Sequence, residues 1–457
     1  MERCPGLARR YWFPSSALGP VSAKLCFASE TKTARAKGKS FEAELPGGRS
    51  QAELGNESKV RELFGREHCS VFSPPLTHGL LLLLAVVLLL SGSRDALAIE
   101  QVEFTRDGRT LRVEGRVRVE ATDGGLLLES ADGTLWTLQP DEIRQRTRDS
   151  RLPRPLTKEA IEAHLLEQLP VGFKVHRTKH YLVCYNTSYD YAKWCGSLLE
   201  RLYRAFTNYW IRQGFELYES SGPLVVMVFA DASSYRAYGK DDLGSAANQI
   251  IGYYSLRTNR VSMYDLTGSE SSRGSKNQRG SAAEINRLLS RSAAIPLVAT
   301  IVHEATHQIA FNCGLHARYA DVPLWLSEGL AVYFETPDLK SKKGWRGIGA
   351  VNRPRLATFR ANLATRPAGS IEILLADDRR LRDPQTAAVA YAEAWALNYF
   401  LIRHRPKEYT AYLKMVSEKE PLIWNTPEER IEEFKQIFGN DLDQLESEFL
   451  RYMRKVQ

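Results

Sequence analysis

The pattern of apolar and polar positions predicts strands in the first part of the chain and mainly helices in the second. Residues 99–150 alternate apolar and polar positions between Asp-Gly turns, which predicts four or five short strands in a small β-barrel or a curled sheet. Between 151 and 290, apolar runs of strand length alternate with helical periodicity, and an aromatic-rich helix is predicted over 189–213. From 291 to 457 the pattern is mainly helical. The chain is therefore predicted to have an α+β fold.

One predicted helix carries a motif of metal chemistry. Pro296 suits a first helical position and Gly314 the position just past a helix end, so a helix is predicted over 296–313. It contains the run His303-Glu304-Ala305-Thr306-His307. Side chains four residues apart lie on one helical face, so the two imidazoles are close enough to bind one cation. A core role for both histidines is the alternative, and the apolar helical context makes it the weaker one.

A second predicted helix supplies a third ligand. It covers 323–335 and carries Glu328 near its start, far enough from His307 for the chain to turn and return to the metal. The predicted metal is zinc (Zn2+), held by His303, His307 and Glu328. The residue after the first histidine, Glu304, is predicted to be the general base that takes the proton of the zinc-bound water.

Together these motifs resemble those of the gluzincin zinc metallopeptidases, in particular the peptidase-MA-like domains of exported bacterial proteins, with a more distant similarity to the aminopeptidase N family. The resemblance rests on the two-histidine motif and on the run Trp325-Leu326-Ser327-Glu328-Gly329. It implies a two-lobed catalytic domain, with a mixed-sheet N-lobe at 151–290 and a zinc-binding helical C-lobe at 291–457. The small β module of 99–150 precedes this domain. The implied reaction is hydrolysis of peptide bonds in a peptide or protein substrate.

The resemblance also assigns roles to two further residues. Tyr391, in the run Tyr391-Ala392-Glu393-Ala394-Trp395, matches the aminopeptidase N tyrosine that stabilises the oxyanion, so it is implied as a second catalytic residue beside Glu304. A packing role for Tyr391 stays open. The family's second glutamate falls at Glu335, which the resemblance places behind the metal ligands. The partner that orients each metal-binding histidine is not identified.

One departure from the aminopeptidase N family limits what the resemblance implies. The Gly-x-Met-Glu-Asn strand, which binds the free amine of the substrate in that family, has no counterpart here. Its place holds two predicted strands, 250–254 and 259–264, that could pair with an extended peptide. An endopeptidase is therefore expected rather than an aminopeptidase. Two alternatives stay open: a non-catalytic zinc-containing scaffold protein of the cell envelope, and a zinc hydrolase with a non-peptide substrate.

The segment 1–98 is predicted to be an N-terminal extension that ends in a signal peptide. Residues 80–90 form an unbroken apolar run, too short to span a bilayer and suited to the core of a signal peptide. Ala96 and Ala98 form a small-residue cleavage site, and cleavage is expected after Ala98. The expected location is the periplasm, the cell surface or the medium. Because the apolar run begins far from the first residue, translation is hypothesised to start nearer to it, and an uncleaved anchor is the alternative.

Composition and cysteine use exclude some classes of protein. The 457 residues carry a net charge of +8 without a dense basic run interleaved with aromatic residues, so no nucleic-acid partner is expected. Three cysteines follow the expected cleavage site, namely Cys184, Cys195 and Cys313. Three buried thiols are favoured over a bridge between the first two. His316 is expected to have a surface or helix-capping role.

Two segments have alternative roles. The β module of 99–150 either recruits a cell-envelope partner or serves as a structural cap of the enzyme. The glycine- and serine-rich run 268–281, which directly precedes the predicted metal-binding helix, is either disordered or a lid over the cleft.

Overall fold

A computed structural model of the protein describes residues 99–149, 156–248, 250–267, 281–292, 294–339 and 345–457. In these residues two five-stranded sheets precede a helical C-terminal part, which confirms the predicted α+β class. The predicted signal-peptide core at 80–90, the cleavage site after Ala98 and the glycine- and serine-rich run up to residue 280 lie outside the described residues. Among the helices described, none has the length and apolar character needed to cross a membrane.

The first sheet is antiparallel and follows the alternating pattern of the β module. Its strands are β1 (Ile99–Arg106), β2 (Arg109–Glu120), β3 (Leu126–Ser130), β4 (Leu135–Leu138) and β5 (Ile143–Asp149). Alternate side chains such as Val102 and Phe104 are fully buried, while their neighbours in β1 are less so. The spatial order is β4-β3-β2-β1-β5, with no pairing between β4 and β5. Within the described residues the module is therefore an open sheet and not a closed barrel.

The strand β5 is held by charge rather than by an apolar face. Most of its residues are exposed, which is why the apolar pattern marks the other four strands more clearly. The guanidinium of Arg146 donates hydrogen bonds to Glu100 on β1 (2.9 Å) and to Glu120 on β2 (2.8 Å). A charged edge strand of this kind is also protected against pairing with other chains.

The second sheet is mixed and begins the part of the chain that carries the site. Its elements are α1 (Lys158–Gln168), β6 (Lys174–Arg177), β7 (Tyr181–Tyr185), α2 (Tyr189–Arg212), β8 (Leu224–Phe229), α3 (Ala232–Leu243), β9 (Gly252–Ser255) and β10 (Arg260–Tyr264). The order is β6-β7-β8-β10-β9, in which β8 is parallel to both neighbours and the two outer pairs are antiparallel. The central strand β8 is apolar throughout because both faces of the sheet are covered. The strand β9 is left at the edge.

The remainder of the described chain is helical. The helices are α4 (Ala282–Leu289), α5 (Ile295–Asn312), α6 (Leu324–Phe334), α7 (Arg353–Ala361), α8 (Ser370–Ala376), α9 (Arg379–Arg382), α10 (Ala387–His404), α11 (Pro406–Ser417), α12 (Pro427–Phe438) and α13 (Leu442–Lys455). Pro296 lies in the first turn of α5, and Gly314 follows its end with a φ of +93°. Only glycine adopts that backbone conformation without strain, so both end signals are confirmed.

The first sheet contacts the hairpin formed by β9 and β10. The backbone N–H of Leu135 donates to the carbonyl oxygen of Arg257 over 2.8 Å. Asp132 and Arg260 form an almost fully buried ion pair at 2.8 Å. Burial alone would raise the pKa of Asp132, but Arg260 and the hydrogen bonds from Thr134 outweigh burial and hold this pKa below its usual value. The β module is thus bonded next to the edge strand β9.

The state of the cysteines decides between the two alternatives, three buried thiols or one bridge. Cys184, Cys195 and Cys313 are all buried free thiols. The three-thiol interpretation is confirmed and the Cys184–Cys195 bridge is wrong, because these side chains are packed into separate apolar surroundings. Cys184 belongs to the cluster under α1 and α3, whereas Cys195 lies on α2 in the main core.

Candidate metal centre

Two histidines of α5 and one glutamate of α6 converge as the spacing predicts. The Nε2 atoms of His303 and His307 are 3.1 Å apart. The carboxylate of Glu328 places Oε2 at 3.1 Å from His303 Nε2 and Oε1 at 3.5 Å from His307 Nε2. One potential ligand atom of each residue lies within 4.8 Å of the other two, and all three side chains are buried. These three residues could hold a metal ion.

The helix α5 is fixed on the second sheet by polar bonds that its apolar pattern does not reveal. The amide of Gln308 donates to the carbonyl oxygens of Val225 and Asn259, each over 2.9 Å. The amide of Asn312 donates to the Asn259 side chain over 2.7 Å. These bonds set the rotation of α5 about its axis and so direct both imidazoles to one point. Sequence reasoning missed Gln308 and Asn312, although they follow the second histidine at one and five residues.

The helix α6 is brought into place by a close approach to α10. A side chain at Gly329 would meet the amide of Asn398 and the carbonyl oxygen of Ala394, so only glycine fits at this crossing. The Asn398 amide donates to the carbonyl oxygen of Trp325 over 2.8 Å, which ties the first turn of α6 to α10. Glu328 precedes this glycine, and the tight crossing turns its carboxylate towards α5.

A second glutamate, directly after the end of α6, orients one histidine. Glu335 Oε2 lies 3.1 Å from His303 Nδ1, and both groups are buried. A carboxylate on Nδ1 fixes the ring so that Nε2 carries the lone pair offered to a metal. The resemblance placed Glu335 behind the ligands, and the structure identifies it as the partner of His303.

The side chain of Glu304 lies beside the three ligands but is held by a different element. Its Oε2 accepts a hydrogen bond from the backbone N–H of Tyr254, on the edge strand β9, over 2.9 Å. Its Oε1 is buried and has no hydrogen-bond partner among the described residues. One oxygen of this carboxylate is therefore fixed by the sheet while the other is free to accept a proton.

Burial and neighbouring charges give the two carboxylates different proton affinities. Burial raises the pKa of Glu304 to about 8, and the nearby carboxylate of Glu328 adds to this shift. Burial would also raise the pKa of Glu328, but His307 and His303 outweigh it and lower that pKa to about 2. Glu328 is thus suited to stay charged beside a cation, whereas Glu304 is suited to take up a proton.

The donor set fits a divalent cation. Two imidazole nitrogens and one carboxylate oxygen are ligands that zinc and similar transition metals prefer. The Oε1 atom of Glu304 is buried without a hydrogen-bond partner among the described residues, and Oε1 of Glu328 has only the 3.5 Å contact with His307 Nε2. Because buried polar atoms in proteins are nearly always paired, a cation bound between these groups would satisfy them.

Tyr391 lies on α10, the helix that packs against α6. Its ring is buried, and the guanidinium of Arg355 lies 5.7 Å from the ring centroid. This contact is a cation–π interaction and is compatible with a packing role. The role of Tyr391 in stabilising an oxyanion stays a prediction.

The structure corrects the expectation for His316. Its side chain is only 2% exposed, so a surface position is wrong. The chain turns back at Gly314, and the backbone N–H of His316 donates to the carbonyl oxygen of Ala310 over 3.0 Å. This turn directs the ring onto Phe311, with the ring centroids 5.3 Å apart. Burial lowers the pKa of His316 to about 3, so the ring is uncharged.

A comparison with known families gives one match. A family model described as "Protein of unknown function (DUF1570)" matches residues 297–423. The matched segment runs from the first turn of α5 to beyond the end of α11 and contains all five residues of the predicted site. Both sheets lie outside it, so the similarity covers the helical part alone. No curated protein sequence matches the chain.

Proposed function

We propose that the protein is a zinc-dependent peptidase of the gluzincin type. The proposal rests on the side chain of Glu304, which lies beside the ligand set with one oxygen held by Tyr254 and the other unpaired. A protein that only binds a metal needs the three ligands, but it has no need of a further buried carboxylate with a free oxygen. Zinc bound by His303, His307 and Glu328 would supply a Lewis acid that polarises water and the substrate carbonyl.

The residues of the chain then have distinct roles. Glu304 accepts the proton of the attacking water at Oε1 and returns it to the leaving amine. The Tyr254 N–H keeps the carboxylate from rotating away, and Glu335 keeps the His303 ring in a fixed orientation. On the resemblance, Tyr391 donates its hydroxyl to the charge that develops on the carbonyl oxygen.

The edge strand β9 supports a peptide as substrate. Its partner β10 covers one side, and the opposite side faces Glu304 at Tyr254. An extended peptide that lies along this edge would have its backbone beside the general base. Since the chain lacks the amine-binding strand of the aminopeptidase N family, we propose cleavage of internal bonds. The signal peptide predicted at 80–98 would place this activity in the periplasm, at the cell surface or in the medium, where the β module could bind a cell-envelope partner.

Peptide profiling of the full chain tests the proposal. We expect one zinc per chain, cleavage of internal bonds in a peptide library, and loss of cleavage with a zinc chelator. Glu304→Gln should keep its zinc and lower the rate by about 10²–10⁴-fold, because the general base is lost. Glu200→Gln is the matched control. It removes a carboxylate that bonds to His180, just before β7 and outside the site, so the rate should stay unchanged.

Three outcomes would contradict the proposal. Zinc binding without hydrolysis of any peptide would favour the scaffold protein. Release of single N-terminal residues would favour an aminopeptidase. An unchanged rate for Glu304→Gln would exclude the assigned general base.

A further inference from the structure

The imidazole of His316 is a buried polar group that the proposed mechanism does not use. Neither Nδ1 nor Nε2 makes a hydrogen bond of normal length and angle with the described residues, the backbone of Leu315 interacts only weakly with the ring, and the side chain is only 2% exposed. An imidazole always carries at least one N–H, which costs free energy when it is buried without an acceptor. A native protein rarely keeps such a group unless something outside the chain binds to it.

The position of the ring explains what it could bind. His316 packs against Phe311, which lies one turn after His307 on α5. Phe311 in turn stacks on the ring of Tyr254, with centroids 5.8 Å apart, and the Tyr254 N–H holds Glu304. The ring is also near enough to His307 to interact with it electrostatically. His316 therefore belongs to the wall of the candidate metal centre on the side of the edge strand β9.

Buried polar atoms without partners also occur elsewhere, so the lack of a partner does not by itself define a site. The hydroxyl of Tyr181 is one example, on β7, which β8 and β10 separate from the edge strand β9. The candidate metal centre differs because three such groups occur together. Glu304 on α5, Glu328 on α6 and His316 on the connection between these helices each present a buried polar atom that lacks a hydrogen bond of normal geometry.

We infer that His316 is a further catalytic residue, whose ring N–H donates a hydrogen bond to the carbonyl oxygen of the bound peptide. This inference rests on the proposed peptidase function and adds a hydrogen-bond donor that neither the motif nor the resemblance contains. A donor fixed in a dry site stabilises the negative charge that develops on that oxygen during attack by water. The ring packs on Phe311, and the backbone N–H of His316 donates to the carbonyl oxygen of Ala310. These two contacts keep the ring donor in place.

Two substitutions at this position separate a catalytic role from a structural one. His316→Phe keeps an aromatic ring against Phe311 and removes both nitrogens. We expect kcat to fall by about 10²–10³-fold, as for loss of one oxyanion donor. Zinc content should stay at one per chain, and the Tm of the zinc-free protein should be equal or higher, because two unpaired buried atoms are removed. His316→Gln restores an N–H donor and should recover part of kcat.

Tyr181→Phe is the matched control, because it also removes an unpaired buried polar atom, and it should leave kcat and zinc content unchanged. An unchanged kcat in His316→Phe would overturn the inference. A lower Tm in His316→Phe, with a loss of kcat that His316→Gln does not recover, would show a structural role and overturn it as well. If Glu304→Gln loses hydrolysis while His316→Phe does not, only this inference fails. If the wild-type chain cleaves no peptide, the proposed function fails and this inference with it.

Discussion

Two regions of the molecule that bury charged side chains differ in how their polar atoms are paired. The first is the candidate metal centre. The second, the Asp321 ion cluster, consists of Asp321, Asp378, Lys419 and Arg430. Arg430 donates to Asp321 over 3.0 Å and to Asp378 over 3.2 Å, and Lys419 lies 3.5 Å from Asp321. Within the described residues, no member of the ion cluster has a buried polar atom without a partner, whereas the metal centre has several.

This difference separates structural from functional burial of charge. A cluster whose charges satisfy one another is stable as it stands and needs no ligand. A cluster that keeps unpaired atoms at one point has a reason to bind something there. The two regions also cooperate, because the Leu324 N–H donates to Asp378 over 3.0 Å and the ion cluster thereby fixes the start of α6. Glu328 lies one turn further along that helix.

The largest effect should come from removing a ligand of the metal centre. Glu328→Gln keeps the shape of the side chain and removes its charge, so we expect zinc to be lost and peptide hydrolysis to fall below detection. Zinc that binds only the folded state raises Tm. Added zinc should raise the Tm of the wild-type protein and leave that of the variant unchanged. An equal rise in both proteins would mean that the metal lies elsewhere.

The next largest effect should come from the Asp321 ion cluster. Arg430→Met leaves two carboxylates without their shared partner, and breaking a buried pair costs about 3–5 kcal/mol of unfolding free energy. Denaturant unfolding measures this loss, and zinc content per folded chain should not change. Arg379→Met is the control, since the exposed Arg379 pairs with Asp377 at the surface and its loss should not affect stability. If folded Arg430→Met lost its zinc, the Asp321 ion cluster would also be needed for metal binding, and its role would not be structural alone.

A smaller effect is expected at the partner of His303. Glu335→Gln leaves the three ligands intact but weakens the bond to His303 Nδ1, and such outer partners are worth about 10–100-fold in metal affinity or activity. Competition with a chelating dye measures the zinc affinity. An affinity equal to that of the wild type would show that the ligands alone fix the ring.

Local signals made part of this architecture predictable from the sequence. Pro296 and Gly314 mark the ends of α5, and the continuous apolar run of β8 is typical of a buried strand. The three candidate metal ligands follow from helical spacing and one downstream glutamate. The resemblance correctly placed Glu335 behind these ligands.

Other features depend on packing between distant elements, and the sequence marks them weakly or not at all. A surface or helix-capping role was expected for His316, because its burial results from the turn at Gly314 and from the contact with Phe311. The pairing of Glu335 with His303 requires α6 to lie against α5, which no local pattern encodes. The strand β5 is held by Arg146 and carboxylates of neighbouring strands, so its sequence lacks the apolar alternation that marks a strand.

The smallest effect concerns a third buried pair, Asp132 with Arg260, which joins the β module to β10 and is paired internally like the ion cluster. The folded state lowers the pKa of Asp132, so its contribution to stability is present above the unfolded pKa and is lost as pH falls through the folded value. At pH 7, Asp132→Asn should lose about 1 kcal/mol of unfolding free energy, less than Arg430→Met, because the asparagine keeps the shape of the side chain and an oxygen that can accept hydrogen bonds from Thr134 and Arg260. The difference from the wild type should shrink below about pH 4, and peptide hydrolysis at pH 7 should be unchanged. A loss of hydrolysis at pH 7 would mean that the Asp132–Arg260 pair positions β9 beside Glu304. In that case a pair whose charges satisfy each other would also contribute to catalysis.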